Sequence, residues 1–116
     1  MMAGMATSGV ALVSSDLLLA SRLRAALSGT AQVTLVSGGA LPEMGTVFVD
    51  LNGDVDARIE MIRALRARGQ VRIVGFCQHD ERGVRIRAMA EGADQVVTNG
   101  ALQQAALRLM GKVARD

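Results

Sequence analysis

Short apolar runs that alternate five times with stretches of helical spacing constrain this chain more than any other feature. Residues 9–14 (GVALVS) are apolar without polar alternation, as expected of a strand buried on both faces. Further strands are predicted at 32–36, 46–51 (TVFVDL), 71–76 (VRIVGF) and 95–98. Asp16 is placed to cap a first helix, in which Leu18, Leu19, Arg22, Leu23, Ala26 and Leu27 recur at three- and four-residue spacing before Gly29 ends it. Asn52, Gly53 and Asp54 form a turn signal. Residues 55–68 then read as a helix with Ile59, Ile62 and Leu65 on one face, stopped by Gly69. A third helix covers residues 80–90, and Glu91, Gly92, Ala93 and Asp94 break it with glycine at the C-terminal cap. Asn99 and Gly100 turn into the last helix, residues 101–114, with Leu102, Ala105, Ala106, Leu109 and Val113 inward.

Strands alternating with helices imply a parallel sheet covered on both faces. Right-handed crossovers leave few topologies. In 116 residues they favour an α/β, flavodoxin-like (βα)5 doubly wound sheet of order 2-1-3-4-5. Residues 9–116 are expected to form this one domain, and residues 1–8 a disordered tail. One connection is anomalous. Only residues 38–45 (GGALPEMG) join the second and third strands, whereas a parallel crossover takes about a dozen residues and a helix. The helix is therefore reduced to a turn around Leu41 and Met44. From this follows the expectation that the sheet face beside strand two is under-covered and that its apolar surface is buried by another chain.

Half the residues are hydrophobic, but Phe48 and Phe76 are the only aromatics, so the core must be aliphatic. Met61, Met89 and Met110, inside helices, read as core filler. Scarce aromatics, a net charge of only +2 and scattered arginines disfavour nucleic acid as a partner. The nearest approach to a basic cluster, Arg63, Arg66 and Arg68, reads as a solvated helix face. Cys77 is the single cysteine, which excludes an internal disulfide and suits a reducing cytoplasm. No apolar run approaches the roughly 20 residues that span a bilayer, so no membrane partner is expected. The leader lacks a basic start, and Ser14, Ser15 and Asp16 interrupt the apolar stretch after it, unlike a secretory signal.

In a sheet of this order, function sits outside the carboxyl ends of the strands. That places Ser14, Ser15, Asp16, Asp50, Asn52, Phe76, Cys77, His79, Thr98 and Asn99 around one crevice. Here the chain resembles response-regulator receiver domains over nearly its whole length. VFVDLNGD is similar to their third strand and phospho-acceptor loop. RAMAEGADQVVTNG is similar to the end of their fourth helix and fifth strand, and the Glu-Gly-Ala-Asp stretch is the most specific match. The resemblance implies five chemical parts: an acceptor Asp, two carboxylates that hold Mg²⁺ with it, a Thr or Ser that contacts the phosphoryl group, and a Lys that neutralises it. Asp50 matches the acceptor. The acid pair maps to Ser14 and Ser15, which bring no charge to a hard cation. Asp16 falls one residue later, where a helix cap explains it. The hydroxyl position maps to Phe76, the Lys to Asn99 and the proline after it to Gly100. Phosphoryl transfer relies on neutralising charge on the transferring oxygens, and those parts are missing here.

Two other constellations offer candidate sites. Asp50, Asn52, Asp54 and Asp56 alternate like half a calcium loop, but Val55 and Met61 occupy the positions that need Gly and a bidentate Glu. Cys77 and His79 could both point into the crevice, yet a nucleophile pair also needs an orienting group and an oxyanion site. No Gly-x-Gly-x-x-Gly follows strand one, so a dinucleotide is disfavoured.

The expected function is that of a non-enzymatic pseudo-receiver, a protein–protein interaction or oligomerisation module in bacterial signalling, with no cofactor and no metal. Its expected partner is a protein, including a second copy in a homodimer. The expected pairing surface is Arg85, Met89, Gln95, Gln103, Ala106 and Met110, with Leu41 and Met44 at the short crossover. The alternatives are a small-molecule-binding or enzymatic flavodoxin-like domain using Asp50, Cys77, His79 and Asn99, and a conventional phospho-acceptor domain using Asp50.

Overall fold

The computed structural model describes residues 8–36, 41–78 and 81–115. Five strands alternate with four helices: β1 (Ser8–Val13), α1 (Leu17–Ala26), β2 (Ala31–Val36), β3 (Thr46–Asp50), α2 (Val55–Ala67), β4 (Arg72–Cys77), α3 (Arg82–Glu91), β5 (Gln95–Thr98) and α4 (Asn99–Arg115). All pairings are parallel, in the order β2-β1-β3-β4-β5. The expected topology is observed, and the boundaries move by one or two residues. Ser8 belongs to β1, paired with Ala31, so strand structure begins inside the expected tail.

Each buried strand feeds two cores, which is why their sequences lack polar alternation. On one face Val10, Leu12, Phe48, Val74 and Phe76 meet Ala20 and Leu23 of α1 and Leu102, Ala106 and Met110 of α4. On the other, Ala11, Val13, Val47, Val49, Ile73 and Cys77 meet Ile59, Ile62 and Leu65 of α2 and Ala88 of α3. Several expected inward residues point elsewhere. Leu18 is 61% exposed, because the cap at Asp16 turns Leu19, Ala20 and Leu23 toward the sheet. Met89 is exposed, because α3 is anchored by a single fully buried residue, Ala88. Met61 and Met110 are core residues.

The short crossover corrects one expectation. Gln32, Thr34 and Val36 lie in register with Gly9, Ala11 and Val13 and so share the α2/α3 face of the sheet. Gln32 and Thr34 are exposed there, so the uncovered part of β2 is polar. Leu41 and Met44 are half-buried against the core, with Met44 over Gly9, and Arg68 donates from Nη1 to the carbonyl of buried Pro42. The loop thus does the work of the missing helix over β1, and β2 substitutes polar side chains for cover. No apolar face beside β2 waits for a second chain among the described residues.

The Glu-Gly-Ala-Asp stretch builds the entry to β5. Gly92 caps α3 at φ 123°, and Ala93 is buried. Asp94 accepts at Oδ2 from the backbone N–H of Ile73 (2.7 Å) and from Nη2 of Arg66 (2.9 Å). Its own N–H donates to the Ile73 carbonyl. Arg66 also donates from Nε to the Gly92 carbonyl (3.0 Å) and from Nη1 to the Gly69 carbonyl (3.1 Å). One arginine therefore ties α2, α3 and the β4–β5 pair together.

Candidate functional site

The crevice is organised around Asp50, the last residue of β3, which is 7% exposed. Its Oδ2 accepts from Oγ of Ser14 at 2.6 Å, and Ser14 is itself fully buried. Its Oδ1 accepts twice from Asn52, from the backbone N–H at 2.8 Å and from Nδ2 at 2.7 Å. The hydroxyl of Ser14 accepts in turn from the Asp16 N–H (3.0 Å), and Oδ1 of Asp16 accepts from the Leu19 N–H (3.0 Å) as the cap of α1. Ser14 and Asp16 are thus joined to Asp50 in one chain of hydrogen bonds, while Ser15 stays exposed at the rim.

Asn52 extends the network. Its Nδ2 also donates to Oδ1 of Asn99 at 3.1 Å, and its Oδ1 accepts from the Gln78 N–H. It links the ends of β3 and β4 to the start of α4. Arg58 is a contributor that sequence reasoning missed. It is half-buried, and its Nη1 donates to the carbonyls of Val13 (3.1 Å) and Asp50 (2.9 Å). The guanidinium of α2 therefore binds the ends of β1 and β3. The available signal was a cation one turn into the helix that follows the acceptor strand.

Other expected crevice residues are not brought together. Phe76 is fully buried in the α1/α4 core, and Cys77 lies buried in the opposite one, because successive strand residues face opposite sides. Both side chains point into the cores, and His79, the other half of the alternative Cys77–His79 pair, lies outside the described residues. Thr98 is exposed at the end of β5. The expected pairing surface also needs correction. Ala106 and Met110 belong to the core, because α4 turns Leu102, Ala105, Ala106 and Met110 inward at helical spacing. Arg85, Met89 and Gln103 are exposed, and Gln95 is half-buried. Among the described residues no group of three His, Cys, Asp or Glu side chains is placed to hold a metal ion, and no helix is long and apolar enough to cross a membrane.

No protein-family model and no curated protein matches the sequence. Solved structures do match. The receiver domain of the TMAO respiratory system response regulator TorR superposes with a TM-score of 0.78 at 22% identity, over 93% of this chain and 98% of that one. A CheY-like protein (tadZ) from Pseudomonas aeruginosa PAO1 gives 0.77 at 18% identity, over 94% of each chain. The chemotaxis protein CheY4 of Vibrio cholerae gives 0.73 at 18% identity, over 89% of this chain and 98% of that one. The chain has the receiver fold. In this receiver-fold chain the position matched to the phospho-acceptor is occupied by a carboxylate already engaged through both oxygens.

Proposed function

We propose that this receiver-fold domain is a protein-interaction module of bacterial signal transduction whose crevice is set by internal hydrogen bonds and is not charged by Mg²⁺-dependent phosphoryl transfer. One observation carries the reading: both carboxylate oxygens of Asp50 are taken up by Ser14 and Asn52, and among the described residues no group of three His, Cys, Asp or Glu side chains stands near enough together to hold a metal ion. Asp16 caps α1, and the guanidinium of Arg58 binds the strand ends. A hard cation seeks several oxygen ligands, and three hydrogen bonds already compete for the Asp50 carboxylate.

Thermal unfolding with Mg²⁺ and beryllofluoride, a phosphoryl mimic, tests this. A ligand that binds only the folded state raises the midpoint. The expected shift is below about 1 °C, and a rise of roughly 4 °C or more, equivalent to about 1 kcal/mol, overturns the reading. The homodimer expected from the sequence is tested separately by sedimentation of the full chain at high concentration.

A further inference from the structure

β2 is one edge of the sheet, and the direction of its backbone groups separates the used from the unused. The Val36 carbonyl accepts from the Ser14 N–H (3.1 Å), so Val36, Thr34 and Gln32 turn their backbone groups toward β1. Ala31, Val33 and Leu35, alternating with them, turn theirs outward. Two of the outward groups are occupied. The Ala31 N–H donates to the Leu27 carbonyl (3.0 Å), and the Val33 carbonyl accepts from Nε of Arg24 (3.3 Å). The N–H groups of Val33 and Leu35 and the carbonyls of Ala31 and Leu35 face no further strand among the described residues. Proteins ordinarily blunt such an edge with charge, proline, a bulge or a covering element. The strand itself has none of the first three: AQVTLV carries no ionisable residue and no proline, and its 6 residues pair with β1 in unbroken register. Cover is thin as well. Gln32 and Thr34 are exposed on one face, and Arg24 reaches the edge from the other. An open groove of about 480 Å³ follows the strand, lined by Arg24, Ser28 and Gly29 from the α1 side and by Gln32, Val33 and Thr34 of β2.

We infer that the β2 edge takes up an extended segment of a partner protein as an added strand, with a carboxylate of that segment opposite Val33 and facing Arg24. The inference rests on the interaction-module reading and adds where and by what chemistry the module binds. The free backbone groups supply hydrogen bonds to any extended chain, and side chains select which chain. A residue added opposite Val33 puts its side chain on the Val33 face of the sheet. Val33 belongs to the core under α1, so this is the face from which Arg24 reaches down. No Asp or Glu lies in α1 or β2, so neither element neutralises Arg24. A guanidinium pairs with a carboxylate through two parallel hydrogen bonds, which supplies the missing partner. A second copy fits less well. Two β2 edges paired about a two-fold axis at Val33 would set Arg24 against Arg24 over the same face, and like charges so placed repel.

The test is amide hydrogen exchange of the full chain, read by NMR, with an end-blocked peptide Thr-Val-Thr-Glu-Thr-Val-Thr. Its valines and glutamate share one face, to lie beside Ala31, Val33 and Leu35, and its threonines share the other, beside Gln32 and Thr34. Two comparison peptides carry lysine for glutamate, or N-methyl groups along the backbone. In the free chain the Val33 and Leu35 amides should exchange at least about tenfold faster than those of Thr34 and Val36, which are bonded to β1. The glutamate peptide should slow Val33 and Leu35 at least about tenfold, at concentrations below roughly 1 mM. Arg24→Glu should weaken its binding at least about tenfold and reverse the preference toward the lysine peptide. Arg24 is exposed, so the amide spectrum of this variant should otherwise be unchanged. Leu35→Pro removes an outward N–H without touching a bond to β1, and should abolish binding. Unchanged exchange at Val33 and Leu35, or equal binding of either comparison peptide, overturns the inference. So does protection of these two amides that grows with protein concentration in the absence of peptide, which would make a second copy the occupant. Each of these outcomes leaves the interaction-module reading standing. Stabilisation by beryllofluoride refutes that reading whichever way the peptide behaves.

Discussion

Gly92→Ala is expected to lower the unfolding free energy by about 2–4 kcal/mol, the sum of a strained backbone and an overpacked contact. Gly92 has φ 123° and ψ 5°, a conformation that L side chains rarely adopt. A β-carbon there would stand 2.6 Å from Cβ and 2.7 Å from Cγ of Arg66. Those atoms are the root of a side chain whose head is fixed by Gly69, Gly92 and Asp94, so they cannot swing aside without breaking the clamp. Gly29→Ala is the control. Gly29 also has a positive φ, 81°, but nothing lies within 4 Å of an added β-carbon. Backbone strain alone should cost it about 1 kcal/mol. Urea unfolding with an unchanged slope would show both effects as shifts in midpoint. Equal losses in the two variants would mean that the Arg66 clamp yields, and would refute its role in fixing the β5 entry.

The second large effect belongs to Asp50. Asp50→Ala should destabilise the domain by about 2–3 kcal/mol, because it strands the fully buried hydroxyl of Ser14 and removes the acceptor of two hydrogen bonds from Asn52. Asp50→Asn should cost about 1 kcal/mol or less. The amide oxygen still accepts from Asn52, and the new N–H₂ donates to Ser14 with the hydroxyl turned away. Asn52→Ala should behave more like Asp50→Ala than like Asp50→Asn, since it also frees the Gln78 N–H and Asn99. Near-identical stability of all three variants and the parent would show that Asp50 is a vestige without a structural task.

The fold was legible because burial writes itself along a strand. Runs such as GVALVS carry no polar alternation when both faces are covered, and only a parallel sheet between two helical layers covers both. The position of Asp50 was legible for the same reason, as the first carboxylate after an unbroken apolar run. What failed was side-chain direction. Phe76 and Cys77 sit at the strand end nearest the crevice, yet the pleat sends one into each core. Ala106, Met110 and Met89 each read equally well as core and as surface until the register of their helices is known. Arg58 was missed because its partners are backbone carbonyls of Val13 and Asp50, and a carbonyl has no signature in a sequence. The shortened crossover was seen, but its meaning depended on Gln32 and Thr34. Their polarity marked the uncovered face and could have been read by carrying the strand register one step further.

On the reading proposed above, Asp50 holds the crevice together and does not accept a phosphoryl group. Incubating the full chain with acetyl phosphate and Mg²⁺ and measuring the intact mass tests it most directly. An unchanged mass is expected, identical in behaviour to the Asp50→Asn variant. A phosphoryl adduct that maps to Asp50 and disappears in that variant would contradict the account.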